Sequence, residues 1–185
     1  MSLRIATEQD LPAILAIYAP YVESTTTSFE YEVPSLANFT ARFRAITTQF
    51  PWLVWEEDGQ ILGYAYASAP FERAAYRWCA EPSIYLARNA RGQGIGRKLY
   101  QTLESILQKQ GYRLLYAIIT SENRESLAFH EHVGYRHLAD FPGCGYKFGR
   151  CLGITWMEKP LPFVENSSFF PIPWRDVVEI DKNLL

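Results

Sequence analysis

The stretch RGQGIGRK, Arg91 to Lys98, sets three cations around three glycines. An apolar run that reads as a strand precedes it, and the amphipathic LYQTLESIL follows. A strand that becomes a helix through such a turn suits a pyrophosphate. Glycine lets an oxygen approach backbone N–H groups with no Cβ in the way. The helix N-terminus adds unpaired donors and the positive end of its dipole. Arg91, Arg97 and Lys98 add mobile positive charge. Two other phosphate loops fit poorly. Counted from Gly92, a Walker loop puts Arg97 where its second glycine belongs, and Leu99 follows Lys98. A dinucleotide loop again needs its last glycine at 97, and it usually follows the first strand of its unit, not a late one. What remains is Arg91-x-x-Gly94-x-Gly96, against the plainer alternative of a glycine-rich turn with solvated cations.

The elements around this turn follow from periodicity. LRIA, residues 3–6, reads as a strand, after which Thr7 can cap a helix with Asp10 at its third position. Leu11, Ile14, Leu15 and Tyr18 mark that helix's apolar stripe, and Pro20 should end or kink it. An extended loop closed by Pro34 leads to a second helix, capped by Ser35 and carrying Phe39, Phe43 and Ile46. WLVWEE and ILGYAYASA form a hairpin about Asp58-Gly59. The motif strand is expected over 83–88, and Gly111 stops the helix after it. RLLYAIIT reads as a strand buried on both faces. A short helix over SENRESLAFHEHVGY ends at Gly134, and strands near 136–140 and 152–159 follow. The order predicts an α+β, three-layer α/β/α domain over 1–160 with a partly antiparallel sheet. Residues 161–185 form a C-terminal extension with three prolines, just after Pro160, and with Phe163, Phe169, Phe170 and Trp174. Prolines oppose a long helix and aromatics oppose a free tail, so it should pack on the domain or a partner chain.

Composition narrows the function. A net charge of -2 provides no overall basic field for nucleic acid. No apolar run approaches the ~20 residues of a membrane span, and the acidic N-terminal stretch lacks a signal-peptide core. Three cysteines, Cys79, Cys144 and Cys151, have no C-x-x-C spacing, so they predict neither a disulfide framework nor a metal site. Reduced thiols in a cytoplasmic protein are the expectation.

YLARNARGQGIGRKLYQTLESILQKQG and then AIITSENRESLAFHEHVGY resemble the acetyl-CoA-binding half of the GNAT N-acetyltransferase superfamily. CAEPSIYLARNARGQGIGRKLY, FHEHVGY and GYKFG, with APFERAAYRW and TTTSFEYEVPS upstream, resemble its phosphinothricin and methionine sulfoximine acetyltransferase group. The resemblance covers roughly residues 3–160 and gives the final segment no counterpart. It implies a GNAT fold, a mixed and mostly antiparallel sheet whose two parallel strands splay around a bulge to admit pantetheine. Leu86, Ala87 and Arg88 would lie along the pantetheine. Arg91, Gly92, Gln93, Gly94, Ile95, Gly96, Arg97 and Lys98 would hold the pyrophosphate, and Asn123, Ser126 and Leu127 the far wall.

Such a site must deprotonate an amine, since only the neutral amine attacks a thioester. Glu81 matches the family's catalytic glutamate, and its apolar neighbours should raise its pKa. A backbone N–H freed by the bulge near Leu86 would stabilise the developing oxyanion. His130 is the candidate proton donor to the departing thiolate, with packing as its plainer role. Phe29, Glu30, Arg73, Tyr76 and Lys147 occupy acceptor-pocket positions, Arg73 and Lys147 being suited to an anionic head. Ala69 and Gly153 depart from residues common in the group. The resemblance implies direct transfer from acetyl-CoA to a small amino acid or analogue, no metal, and a homodimer. A peptide N-terminal acetyltransferase and a CoA-binding sensor without chemistry are the rival readings.

Overall fold

The computed structural model describes residues 2–162 and 170–180, so Phe163 and Phe169 of the C-terminal segment lie outside the described residues. Seven strands form one sheet: β1 (Ser2–Ile5), β2 (Trp52–Glu57), β3 (Gln60–Ser68), β4 (Cys79–Leu86), β5 (Leu114–Thr120), β6 (Arg136–Lys147) and β7 (Arg150–Pro160). Their order is β1-β2-β3-β4-β5-β7-β6. Only β4 and β5 run parallel; the other neighbours are antiparallel. Helices α1 (Leu11–Ser24) and α2 (Leu36–Ile46) bury Ile14, Tyr18, Val22, Phe39 and Phe43 against Trp52, Val54 and Tyr64 on one face. Helix α3 (Ile95–Gln110) buries Leu99, Leu103, Ile106 and Leu107 against Leu53, Ala65 and Leu115 on the other. Helix α4 (Arg124–His132) follows β5. This is the three-layer arrangement that the resemblance implies.

Local signals operate as the sequence suggests. The Thr7 N–H donates to Asp10 Oδ2 at 2.7 Å, and Ser35 Oγ accepts from the Asn38 N–H at 3.2 Å. Asp58 and Gly59 turn the β2–β3 hairpin with φ of 50° and 77°. Two prolines act differently from expectation. Pro20 does not end α1, which continues to Ser24. A helical proline forfeits one backbone bond, and burial of Tyr18 and Val22 on either side holds the helix through it. Pro82 sits inside β4, which begins at Cys79 rather than at Ser83.

Pro82 is tolerated because of register. The Ala87 N–H donates to the Leu62 carbonyl at 2.9 Å, which makes that pair and every second pair along β3–β4 the bonded ones. Pro82, Ile84 and Leu86 therefore direct their backbone groups away from β3, toward β5. There β4 and β5 pair only at Cys79–Leu114 and Ala80–Leu115. The next rung would need a Pro82 N–H, which does not exist. From that residue onward the two strands part.

The C-terminal helix α5 (Trp174–Ile180) puts Trp174 and Val177 into the α3-side core. Trp174 Nε1 donates to the Thr47 carbonyl at 2.9 Å. The Ile172 N–H donates to the Gln110 carbonyl at 2.9 Å, and Gln110 Nε2 returns a bond to the Ile172 carbonyl at 2.7 Å. Trp174→Ala should destabilise the fold by about 3–5 kcal/mol, read as a lower urea midpoint. A change below about 1 kcal/mol would mean the segment contributes little to the fold.

Candidate active site

The parting of β4 and β5 leaves a narrow cavity of ≈ 60 Å³. Glu81, Pro82, Ser83, Ile84 and Tyr85 form one wall; Ala117 to Thr120, Asn123, Ser126 and His130 form the other. By the register above, the Ile84 and Leu86 backbone groups point into this gap, as strand partners would. The expected bulge is absent: β3–β4 pairing runs unbroken from Ser68–Glu81 to Gly63–Leu86. The Leu86 groups are also occupied. Its N–H donates to Tyr21 Oη at 3.3 Å, and that hydroxyl donates to the Leu86 carbonyl at 2.6 Å. The amide facing the gap beside Glu81 is that of Ile84.

The glycine turn follows β4 and leads into α3. Gly92 and Gly94 have φ of 75° and 78°, the left-handed region that lets the chain reverse into α3. Gly96 does something else. A Cβ there would sit 3.4 Å from Ile84 Cδ1 and Leu86 Cδ1, so it serves close packing of α3 on β4. The three cations separate. Arg91 Nη2 donates to Tyr21 Oη at 3.1 Å, and its other nitrogen lies 3.7 Å from Glu125. Lys98 Nζ instead lies 5.0 Å from the Trp55 ring centroid. Arg97 lines a separate groove with Glu104, His132 and Lys159. Ala87 and Arg88 line a large cavity of ≈ 900 Å³ under α1 together with Tyr21 and Arg91. Gln93 Nε2 donates to the Asn89 carbonyl at 2.7 Å within the turn, and Ile95 is buried as the first residue of α3. Asn123 caps α4 by accepting from the Ser126 N–H at 3.1 Å, and its Nδ2 donates to Thr27 Oγ1 at 3.3 Å. Leu127 packs at the edge of the α3-side core.

Glu81 projects from β4 on the α1–α2 side, the face of Ser83 and Tyr85. Burial raises its carboxyl pKa above the ordinary value. Cys79, the rival nucleophile, has its thiol pKa raised by burial too, which disfavours the thiolate. His130 is 4% exposed. Its Nδ1 lies 2.7 Å from the Ser126 carbonyl, which can only accept, so Nδ1 carries the proton. Nε2, 2.8 Å from Tyr100 Oη, is then the acceptor of that hydroxyl. Burial lowers the His130 pKa to about 4. The ring is neutral near pH 7 and has no proton on Nε2 to give, which argues against the donor role and for a positioning one.

The expected acceptor residues do not act alike. Lys147 is 2% exposed. Its ammonium donates to the carbonyls of Val22, Thr25 and Ser28 at 2.7, 2.9 and 2.6 Å. With all three donors used it fastens the end of α1 and the following loop, and it is not a clamp for an anionic head. Glu30 pairs with Arg42 at 2.6 Å. Phe29 lies directly on Gly145, where a Cβ would come within 2.2 Å of its ring. Arg73 is exposed at the start of a short turn, with its carbonyl accepting from the Tyr76 N–H at 3.0 Å. Tyr76 packs its ring on Phe71, centroids 4.7 Å apart. Sequence reasoning misses Tyr21, Arg42 and Tyr100. Arg42 had a signal, a cation between Phe39 and Phe43 on the inward edge of α2. Tyr21 had none, since only continuation of α1 past Pro20 carries it to β4.

Among the described residues, no group of three His, Cys, Asp or Glu is placed to hold a metal, and no helix is long and apolar enough to cross a membrane. The sequence model of the acetyltransferase (GNAT) domain matches residues 3–156. Phosphinothricin N-acetyltransferase of Alcaligenes faecalis is 40% identical over 162 residues, 86% of this chain and 82% of that protein. L-methionine sulfoximine/L-methionine sulfone acetyltransferase of Pseudomonas paraeruginosa is 38% identical over 161 residues, 85% of this chain and 92% of that protein. The crystal structure of a phosphinothricin acetyltransferase from Sinorhizobium meliloti in complex with AcCoA superposes with a TM-score of 0.86 at 34% identity. That match covers 94% of this chain and 98% of the other, so it reaches past residue 160. Part of the chain past residue 160 is thus matched, where the resemblance read from sequence gave the final segment no counterpart.

The His130 assignment makes a pH prediction. Its native pKa of about 4 lies below the ordinary 6.5, so the unfolded chain takes up a proton first on acidification. This contribution to stability is complete above pH ~6.5 and is lost as pH falls toward ~4, on the order of 3 kcal/mol in all. Urea melts across that range should show the loss, and His130→Gln should lack it.

Proposed function

The chain belongs to the GNAT acetyltransferase family, and we propose that Glu81 is its general base in transferring acetyl from acetyl-CoA to a small amino acid or analogue. GNAT acetyltransferases use acetyl-CoA, and the wedge suits it on physical grounds. Pantetheine carries amides, and the gap presents backbone donors and acceptors as an exposed strand does. The helix N-terminus at Gly94 and the nearby Arg91 suit a diphosphate. When bound, the thioester supplies the acetyl group. The relatives named for phosphinothricin and methionine sulfoximine support an acceptor of amino-acid type.

The single observation that carries this reading is the half-buried Glu81 carboxyl at the wedge wall, with its raised pKa. A carboxylate whose pKa is raised accepts the ammonium proton more readily than an ordinary one. The Ile84 N–H, in the gap, is the proposed donor to the developing oxyanion. Leu86 enters only after exchanging the Tyr21 hydroxyl. His130 and Tyr100 hold the α4 wall and have no proton-transfer step. Glu30, set by Arg42, and Phe29, Arg73 and Tyr76 are proposed to form the acceptor side.

We further propose a 1–160 catalytic domain with 161–185 as its appendage, a cytoplasmic location, and a homodimer. Three free cysteines support the location. Leu138, Phe141, Tyr146 and Phe148, exposed on or beside the edge strand β6, support pairing of two copies there.

Glu81→Gln should lower kcat by about 10²–10⁴-fold and leave the calorimetric Kd for acetyl-CoA unchanged. In the unsubstituted chain kcat/KM should fall as pH drops through a pKa above the ordinary carboxylate value, because the protonated base is inactive. The variant should lack that limb. Undiminished turnover in the variant would reject Glu81 as base.

A further inference from the structure

A second cavity, ≈ 470 Å³, lies at the end of the sheet where β3 stops and β4 begins, and Phe50 and Tyr112 of the α3-side core line it too. Ala69, Phe71, Tyr76, Cys79, Phe170 and Pro171 give it an apolar lining. Register fixes its place relative to the base. Ser68 lines it as well and is the Cα partner of Glu81; antiparallel partners share a face. Cys79 precedes Glu81 by two positions on β4 and so shares that face too. Ser68 and Cys79 thus bring one end of the cavity next to the position of Glu81, whose carboxylate lines the neighbouring wedge.

One wall comes from the C-terminal segment, and it is held firmly. Gln49 Nε2 donates to the Pro171 and Ile172 carbonyls at 3.2 Å each. Gln110 grips Ile172 through both its side chain and its carbonyl. The Phe170 ring stacks on Trp78 with centroids 5.8 Å apart. Across the cavity stand the paired rings of Phe71 and Tyr76. The two charged lining residues, Glu72 and Arg77, are exposed.

We propose that this cavity is the subsite for the acceptor's side chain, that it takes an aliphatic, thioether or aromatic group, and that Phe170 and Pro171 are specificity-determining. The proposal rests on the acetyl-transfer reading above. An apolar side chain seated here brings its α-amino group toward Glu81, and the wall decides how large a side chain fits. Hydrophobic pockets discriminate by about 10–200-fold per methylene-sized change.

The test measures thiol release from acetyl-CoA with L-alanine, L-methionine and L-phenylalanine, for the unsubstituted chain, Ala69→Leu, which fills the cavity, and Phe170→Ala, which opens its wall. Calorimetric binding of acetyl-CoA reports that each variant is folded. The unsubstituted chain should prefer methionine and phenylalanine over alanine in kcat/KM. Each substitution should lower that preference about tenfold, chiefly through KM. Preferences that both folded variants leave unchanged would overturn the subsite while leaving acetyl transfer standing. No thiol release with any amine, Glu81 intact, would sink acetyl transfer and this proposal with it.

Discussion

One missing hydrogen bond organises this molecule. A parallel pair inside a sheet normally zips along its length, because each unpaired backbone group there costs free energy. At Pro82 the zip stops for lack of a donor, after two registered pairs. The groups beyond it face a gap that the fold keeps open from both sides. Packing of α3 through Gly96 fixes β4 on one flank, and β7 pairs with all of β5 on the other. Neither strand can move over to close the distance without breaking those contacts.

The chemistry follows from that gap. Because β4 alternates, its backbone serves the wedge at Ile84 while Glu81 and Ser83 offer side chains to the α1–α2 side. The proposed donor and the proposed base thus come from one strand, three residues apart in sequence, with no loop needed to place them. The loop over 69–78 joins Tyr116 and Trp156 in an aromatic patch through its own Phe71 and Tyr76.

Much of this was legible in the chain. The helices, the Asp58-Gly59 hairpin and the glycine turn announce themselves through periodicity and φ preference, which are local properties. The site was less so. Lys147 reads as a substrate cation because its charge is visible in sequence, whereas the three carbonyls that consume it come from residues over a hundred positions earlier. His130 reads as an acid because its type permits it; the Ser126 carbonyl that fixes its tautomer is a detail of helix geometry. Tyr21 was hidden by Pro20, whose local preference to end a helix loses to the burial of Tyr18 and Val22. In each case the deciding partner was distant in sequence or backbone-borne, and residue type encodes neither.

The Tyr21 hydroxyl, which satisfies both backbone groups of Leu86 and also meets Arg91, has a consequence outside catalysis. A half-open sheet is an invitation to stray polypeptide, since its unpaired rim can template a strand from another molecule. A tethered phenol at the rim behaves as a stopper: it competes with any intruding chain, yet surrenders its place for the exchange of only two hydrogen bonds. The opening can therefore stay ready for its small guest while remaining poorly adhesive toward other proteins in a crowded cell.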